Sequence, residues 1–467
     1  MKKVIFFTIC CVLLSTCGNS KNGAIIDDGI NNNIEDNGNS DSNQFYDVAF
    51  TNVPTPPDVV MYEANERVFA ANASFNAITN RLDEIKALGV NVLWLMPVNE
   101  QGAKNSIGSP YCVKNYTKVQ PEYGTLESLR TLVKQAHSCG MAVIIDWVAN
   151  HTSWDNGWIE NKSWYTQDAA GNIISPAGAG WNDVADLNFD NADMRKAMIA
   201  AMKYWVYEAN IDGFRCDAAD MVPSDFWKQA IDSLRKFEGR TLLMLAEGNT
   251  GNHYASGFDM DYAWNFYTSI TKLYAGQGSI ANLYTTHTNE YKNIPAGKEK
   301  LRFTTNHDYS SEPGGSPITL YGGQQGSLSA FVLAATLGGS PLIYSTQEIG
   351  ASSPVTFFSP TAIDWSMNPE FLAEYKKIMS IYVASEALRK GALQTYSHND
   401  VACFYRLYQQ TDGALVAVNV RNQAVTFNLP AQFVGQAFTN AFDGTTVELP
   451  ASIEMQPYQY FIWTRKI

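Results

Sequence analysis

The sequence lacks several features that mark particular protein classes. Lysine and arginine number 33 against 46 aspartates and glutamates, which gives a formal net charge of −13. No long basic run occurs, and this argues against nucleic acid as a partner. The apolar run at residues 4–14 is too short to span a membrane as a helix. An uncharged substrate fits this composition better than a polyanion.

Cysteine is also scarce, with seven residues and no Cys-x-x-Cys pair. Three of the cysteines fall within the first 17 residues, and the others are Cys112, Cys139, Cys216 and Cys403. Their spacing fits no metal-ligand pattern. An exported protein can carry disulfides, but the sequence alone does not pair these four.

The amino terminus is predicted to be a targeting segment. Lys2 and Lys3 precede the apolar run, and Leu14-Ser-Thr-Cys17 follows it. This pattern resembles a bacterial lipoprotein signal, which implies cleavage before Cys17 and lipidation of that residue. An ordinary secretory signal cleaved nearby is the alternative. Both interpretations export the protein, and the first anchors it to a membrane, in the outer membrane or facing the periplasm.

Residues 18–57 are rich in Asn, Asp, Gly and Ser and end in prolines. Such a segment buries too little apolar surface to order itself, so a flexible tether is predicted.

A regular alternation of strands and helices is predicted for residues 58–390. Strands are predicted at 59–63, 92–96, 142–146, 213–217, 242–247, 258–262, 301–306 and 342–346. Helices are predicted at 75–88, 126–138, 194–209, 327–337 and 369–388. Eight apolar strands alternating with helices predict a closed (β/α)8 barrel, an α/β fold. Residues 391–467 alternate in short β stretches separated by turns and predict a C-terminal all-β sandwich.

The loop after the third barrel strand, residues 147–191, is long enough to indicate a function. It carries Trp154, Trp158, Trp164 and Trp181. Their rings could pack on the apolar faces of sugars, or they could form a small core of the loop itself.

Polar clusters follow four of the predicted strands. Asp146 to His151 follow the third strand, Arg215 and Asp217 end the fourth, Glu247 ends the fifth, and Asn306-His-Asp308 end the seventh. Residues two apart on a strand share a face, so Arg215 points beside Asp217 and keeps that carboxylate ionised. Several carboxylates in one pocket raise at least one pKa. A neutral acid beside an ionised carboxylate is the arrangement that glycosidic bond cleavage requires.

These ordered clusters resemble the signature regions of the α-amylase family, glycoside hydrolase family 13, over residues 58–467. The resemblance implies that Asp217 is the nucleophile and Glu247 the general acid/base, and that Asp308 stabilises the transition state. It implies that Arg215, His151 and His307 hold the sugar at the cleavage site and that Tyr111 stacks on it. The segments 184–188 and 347–350 resemble further motifs of this family.

The family pattern is not followed everywhere. Many α-amylases carry Lys-His after the nucleophile, where this sequence has Asp220 and Met221. The resemblance also implies a possible Ca²⁺ site formed by Asn150, Asp186 and the backbone carbonyl of Met221. Alternatively, Asn150 and Asp186 only hold the loop by hydrogen bonds.

The expected activity is retaining hydrolysis of α-1,4-glucans, with the carboxyls of Asp217 and Glu247 about 5–5.5 Å apart. A 4-α-glucanotransferase would use the same residues with a sugar as acceptor. A non-catalytic starch-binding lipoprotein should have lost one of the three carboxylates, and all three are present. The oligomeric state is left open.

Overall fold

The computed structural model of the protein describes residues 45–250 and 252–467. The predicted signal and Cys17 lie outside these residues. Within them, no helix is both long and apolar enough to cross a membrane.

The strands of the first part of the chain form the barrel and two small two-stranded sheets. They are β1 (Met61–Ala64), β2 (Val92–Leu95), β3 (Asn99–Gln101), β4 (Val113–Val119), β5 (Ala142–Trp147), β6 (His151–Ser153), β7 (Val184–Asp186), β8 (Gly213–Cys216), β9 (Leu243–Ala246), β10 (Met260–Tyr262), β11 (Glu299–Arg302) and β12 (Ser340–Tyr344).

The helices lie mainly between the barrel strands. They are α1 (Glu66–Phe69), α2 (Ser74–Thr79), α3 (Leu82–Lys86), α4 (Leu126–Ser138), α5 (Ala192–Ala209), α6 (Ser224–Leu234), α7 (Trp264–Tyr274), α8 (Ile280–Tyr291), α9 (His307–Ser310), α10 (Pro317–Leu320), α11 (Gln324–Thr336), α12 (Pro369–Ala384) and α13 (Glu386–Lys390).

Eight of the strands close into the predicted parallel barrel, in the order β1-β12-β11-β10-β9-β8-β5-β2. Alternate side chains fill its interior, among them Trp94 and Tyr262, while the opposite faces pack against the helices. The apolar runs therefore act as strands buried on both faces. All strands point the same way, so the residues that follow them gather at one rim.

Helix α4 illustrates how local sequence sets an element, and its predicted bounds 126–138 are confirmed. The Thr125 hydroxyl accepts a hydrogen bond from the Ser128 backbone N–H, and the Ser128 hydroxyl accepts one from the Thr125 backbone N–H, forming a capping box. The prediction of one helix at 75–88 is wrong, because Arg81 leaves the helical conformation (φ −110°, ψ 5°) between α2 and α3.

The C-terminal strands are β13 (Ala392–Tyr396), β14 (Val401–Tyr408), β15 (Asp412–Asn419), β16 (Val425–Asn428), β17 (Ala437–Asn440), β18 (Thr446–Glu448), β19 (Ser452–Met455) and β20 (Tyr460–Lys466). They form a six-stranded sheet, β13-β14-β15-β20-β17-β18, and the pair β16-β19. Phe427, Phe433 and Trp463 are buried between these layers. The predicted all-β C-terminal domain is confirmed.

Residues 45–57 differ from the expected flexible tether. The Phe45 ring stacks on Tyr207 at 4.7 Å, and Arg240 lies 3.8 Å above the Phe45 ring. The ring of Phe50 stacks on His137 at 4.6 Å. The aromatic residues near the end of the polar segment thus bury enough surface to hold it against the barrel.

Candidate active site

Asp217 and Glu247 leave the barrel rim side by side. Each follows the last residue of its strand, and the parallel pairing of β8 with β9 sets Cys216 beside Ala246. Two further hydrogen bonds fix the junction: Glu247 N–H donates to Cys216 O, and Ala219 N–H donates to Glu247 O, both at 2.9 Å. Cys216 itself is buried, and its thiol is free.

A single guanidinium connects the two carboxylates. Arg215 Nη1 donates to Asp217 Oδ1 at 2.7 Å, and Arg215 Nη2 lies 2.9 Å from Glu247 Oε2 at an angle unsuited to a hydrogen bond. Arg215 also donates to both oxygens of Asp146 (2.9 and 3.2 Å) and to the Tyr262 hydroxyl (3.1 Å). The predicted orientation of Arg215 beside Asp217 is confirmed. This buried cation therefore binds Asp146 and Asp217 at the same time.

Glu247 lies in a different electrostatic environment. Burial, together with the negative charges of Asp217 and Asp308, raises the pKa of Glu247 to about 8, although Arg215 opposes the shift. Its Oε2 accepts one backbone hydrogen bond, from Ala218 at 2.7 Å. The pair thus combines a carboxylate that receives a strong hydrogen bond from a cation with a carboxyl that is protonated at neutral pH.

Asp308 reaches the same rim through helix α9. Asn306 caps this helix, because its side chain accepts hydrogen bonds from the Asp308 and Tyr309 backbones at 3.1 and 3.2 Å. His307 Nε2 lies 3.3 Å from Asp308 Oδ1, and the Asp308 side chain is 43% exposed. Its carboxylate is therefore open to the cleft and available to sugar hydroxyls.

His307 is held from its other side by a buried acid. Its Nδ1 lies 2.5 Å from Glu63 Oε1, on β1. Burial disfavours the imidazolium, but Asp308 and Glu63 outweigh this effect and raise the pKa of His307 to about 9. The ring is therefore a fixed cation beside the cleft at neutral pH.

Tyr111 and His151 complete the floor of the site. The Tyr111 hydroxyl donates to Asp146 at 3.0 Å and lies 2.9 Å from His307 Nε2. His151 Nε2 lies 3.2 Å from the Tyr111 carbonyl, and burial lowers the pKa of His151. The tyrosine ring stacks on His307 at 5.4 Å. The structure therefore brings together all seven residues predicted for catalysis and substrate binding.

Six of these residues line one cleft of about 340 Å³, and Arg215 is buried beneath them. Its rim carries large apolar side chains that are partly exposed, namely Ile107, Trp181, Met221 and Phe358. Trp158 and Trp164 instead pack against each other at 5.2 Å within the long loop. Trp158 and Trp164 therefore form part of a local core of the loop, whereas Trp181 faces the cleft.

Sequence reasoning missed three buried acids and one histidine near the site. Asp146 was noted only as part of a cluster, and Glu63, Asp261 and His253 were not singled out. An acid inside an apolar strand, as in Met61-Tyr-Glu-Ala64, is the signal that could have found Glu63.

The positions where the family pattern is not followed also border the cleft. Asp220 Oδ1 lies 2.9 Å from His253 Nε2. Burial disfavours a charge on His253, but Asp220 and Asp261 outweigh it and raise its pKa to about 9. The lysine expected from the family is thus replaced by a carboxylate that is already paired.

The residues considered for Ca²⁺ lie on the long loop and in the turn that follows β8. Asn150 is buried and directly precedes β6, Asp186 ends β7, and Leu187 N–H donates to Asn150 O at 3.1 Å. Burial raises the pKa of Asp186. Within the described residues, no cluster of three or more His, Cys, Asp or Glu side chains could hold a metal ion.

Known proteins resemble this chain in sequence and in fold. The family model for the alpha amylase catalytic domain matches residues 40–171 and 179–391. "Alpha-amylase MalA" of Haloarcula japonica is 25% identical over 400 residues, which cover 80% of this chain and 57% of that protein. "Alpha-amylase 3" of Dictyoglomus thermophilum is 25% identical over 452 residues, which cover 81% of this chain and 87% of that protein. This chain thus spans little more than half of the Haloarcula relative.

Among solved structures, the noncanonic maltogenic alpha-amylase AmyB of Thermotoga neapolitana superimposes with a TM-score of 0.79 at 24% identity, covering 89% of this chain and 100% of that one. An alpha-amylase from Geobacillus thermoleovorans, solved in complex with acarbose, superimposes with a TM-score of 0.77 at 21% identity. The superposition covers 88% of this chain and 99% of that one. These likenesses support the barrel and its C-terminal sheet domain. The family model matches well over half of this chain, and the chain therefore belongs to the alpha-amylase catalytic-domain family.

Proposed function

We propose that this protein is a retaining glycoside hydrolase that cleaves α-1,4-glucosidic bonds of starch, maltodextrin or maltooligosaccharides. The observation that carries the proposal is the pairing of Asp217 with Glu247 through one buried guanidinium, at the rim of an α-amylase family barrel. The relatives named as alpha-amylases agree with this substrate class.

The proposed reaction has two displacements. The Asp217 carboxylate attacks the anomeric carbon while Glu247 gives its proton to the departing glycosidic oxygen, which leaves a glycosyl ester on Asp217. Glu247, now ionised, takes a proton from water, and that water breaks the ester bond. The raised pKa of Glu247 suits the first step, and the cation of Arg215 keeps Asp217 ready to attack.

The other polar groups would bind the sugar at the cleavage site. His307 and Asp308 present a cation and a carboxylate to the cleft, and Tyr111 offers a ring face. The apolar rim around Trp181 suits the apolar faces of further glucose units.

Digestion of a maltooligosaccharide of defined length, followed by chromatography, tests this function. We expect products shorter than the substrate to dominate. Products longer than the substrate would instead indicate a 4-α-glucanotransferase. Binding with no product at any enzyme concentration would contradict both activities.

The pH profile of kcat/KM should show an alkaline limb near pH 8. Glu247 must be protonated to assist departure, and it loses that proton as the pH rises through its raised pKa of about 8. Above pH 8, kcat/KM should fall strongly for substrates with a poor leaving group. It should fall only weakly for an aryl α-maltoside with a good leaving group, because such a group needs little protonation. Identical limbs for both substrates would contradict this assignment.

We also propose that Asn150, Asp186 and the Met221 carbonyl hold Ca²⁺. All three offer oxygen, which Ca²⁺ prefers, and a cation would favour the ionised form of the half-buried Asp186. Bound Ca²⁺ would join the long loop to the barrel and takes no part in bond cleavage.

Removal of Ca²⁺ with EGTA should lower the midpoint of thermal unfolding, and added Ca²⁺ should restore it. Asp186→Asn should abolish this difference. An unfolding midpoint that is the same with EGTA and with Ca²⁺ would contradict the proposed site.

We further propose that the protein is an exported lipoprotein anchored through Cys17. The proposal rests on Lys2, Lys3, the apolar run and Leu14-Ser-Thr-Cys17. A multiply acylated cysteine gives stable membrane association, whereas a single chain gives weak association.

Cys17→Ala should move the protein from the membrane fraction to the soluble fraction of the producing cells and abolish labelling with a fatty acid. Cys10→Ala, in the same segment, is the matched control and should leave both properties unchanged. Equal solubility of wild type and Cys17→Ala would contradict the anchor.

A further inference from the structure

The loops that follow β8 and β9 are joined by an ion pair beside the cleft, between the partly exposed Asp220 and the buried His253. Asp220 lies three residues after the nucleophile, in the turn Ala219–Met221, and its Oδ1 is 2.9 Å from His253 Nε2. His253 is only 3% exposed. A charged imidazolium is costly to bury without a partner, and Asp220 supplies that partner next to the reacting carboxyls.

Asp220 also holds the segment directly after Glu247. Its Oδ2 accepts a hydrogen bond from the Asn249 backbone at 3.1 Å, and its Oδ1 accepts one from the Thr250 hydroxyl at 2.9 Å. A side chain at Gly248 would place a Cβ 2.5 Å from both Asp220 Oδ1 and His253 Cε1. The contact is thus tightly packed, and glycine is required at this point.

His253 is fixed from behind by the barrel wall. Its Nδ1 lies 3.7 Å from Asp261 Oδ2 on β10, and the edge of its ring faces Phe258. Asp261 is itself held by Lys300 Nζ on β11 and by the Tyr254 hydroxyl, both at 2.6 Å. Alternating charges therefore connect Asp220 to two barrel strands.

The turn that Asp220 anchors delivers a hydrogen bond to the general acid/base. Ala218 adopts a left-handed conformation with φ 42°, which a residue with a Cβ rarely adopts. In this conformation its N–H points at Glu247 Oε2 and donates to it at 2.7 Å. Surrounding contacts must hold such a conformation in place. Asp220, two residues after Ala218, supplies contacts of this kind to His253, Asn249 and Thr250.

We infer that Asp220 and His253 form a positioning pair that fixes the turn after Asp217 against the loop after Glu247, and so aligns the two carboxyls. The inference rests on the proposed glycosidase function. Both oxygens of Asp220 already accept protein hydrogen bonds, which leaves little capacity for a sugar hydroxyl. The pair therefore acts through Ala218 and Glu247 rather than on the substrate.

Asp220→Ala should lower kcat on maltooligosaccharides by roughly 10- to 100-fold with little change in KM, because small misplacements of reacting groups have effects of this size. Asp220→Asn keeps one oxygen that can accept from His253 but replaces the oxygen that accepts from the Asn249 backbone with an NH2 group, so it should restore only part of kcat. His253→Gln should lower kcat as Asp220→Ala does.

A second buried His–Asp pair provides the matched control. His137 Nε2 lies 2.7 Å from Asp212 Oδ2 at the opposite end of β8, and His137→Asn should leave kcat unchanged. A substrate-contact role would instead raise KM for long oligosaccharides at constant kcat, and that result would overturn the inference.

Wild-type kcat in both Asp220→Ala and His253→Gln would also overturn it. If Asp220→Ala fails to fold, His253→Gln decides between the outcomes. A wild-type enzyme that cleaves no glucan refutes the proposed function, whereas an active wild type with equally active variants refutes only the positioning pair.

Discussion

Asp217→Asn is expected to reduce turnover on maltooligosaccharides by roughly 10⁴- to 10⁶-fold, the range seen when an enzyme nucleophile is removed. The amide is nearly the same size as the carboxylate, and its oxygen can still accept from Arg215, which donates to Asp217 at 2.7 Å in the wild type. It carries no negative charge and cannot form the glycosyl ester. The fold and the sugar site should therefore survive while the chemistry stops.

Steady-state kinetics, thermal unfolding and oligosaccharide calorimetry on the same preparation check this expectation. Asp212→Asn is the matched control, because Asp212 is a buried carboxylate at the other end of β8, bonded to His137 rather than to the cleft. It should retain turnover even if it unfolds at a lower temperature. Near wild-type turnover in Asp217→Asn would remove the nucleophile assignment.

Glu247→Gln should separate the two displacements. With an aryl α-maltoside that has a good leaving group, the ester on Asp217 still forms, because such a group departs with little protonation. In the second step no general base is left to activate water, so hydrolysis of the ester is slow. A burst of released aryl group should therefore precede a steady-state rate that is roughly 10²- to 10⁴-fold below that of wild type. Asp217→Asn should show no burst with the same substrate.

Rapid-mixing measurements of aryl release test this difference. Azide needs no general base, so added azide should raise the steady-state rate of Glu247→Gln and leave wild type little changed. Linear release without a burst, together with no response to azide, would contradict the role of Glu247 in the second step.

The meeting of three carboxylates could be predicted because each follows a predicted strand, and two of these strands are apolar up to the residues beside the carboxylate. Once the strands are read as one parallel barrel, Asp217, Glu247 and Asp308 must meet at its carboxyl-terminal rim. The strand bounds were less accurate: the seventh strand begins at Glu299 rather than at residue 301. The first two residues of this strand, Glu299 and Lys300, are charged, and charged residues are more typical of an exposed loop. Both can be buried because Glu299 accepts a hydrogen bond from the Tyr291 hydroxyl and Lys300 forms an ion pair with Asp261.

The supporting contacts could not be predicted, because they join distant parts of the chain. Glu63 lies 244 residues from His307, and no local pattern links them. Asp220 could be noted only as an unusual residue, since its partner His253 comes from another loop. Arg81, at the break between α2 and α3, likewise contacts a distant part of the chain, 4.2 Å over the Trp365 ring.

The anomeric form of the first product tests the central claim most directly. Proton NMR, recorded within the first seconds to minutes of maltooligosaccharide cleavage and before mutarotation, distinguishes the two anomers of the new reducing end. Two displacements at the anomeric carbon predict that the α anomer appears first and the β anomer grows only as equilibrium is reached. Initial appearance of the β anomer would show a single inverting displacement and would contradict the roles assigned here to Asp217 and Glu247.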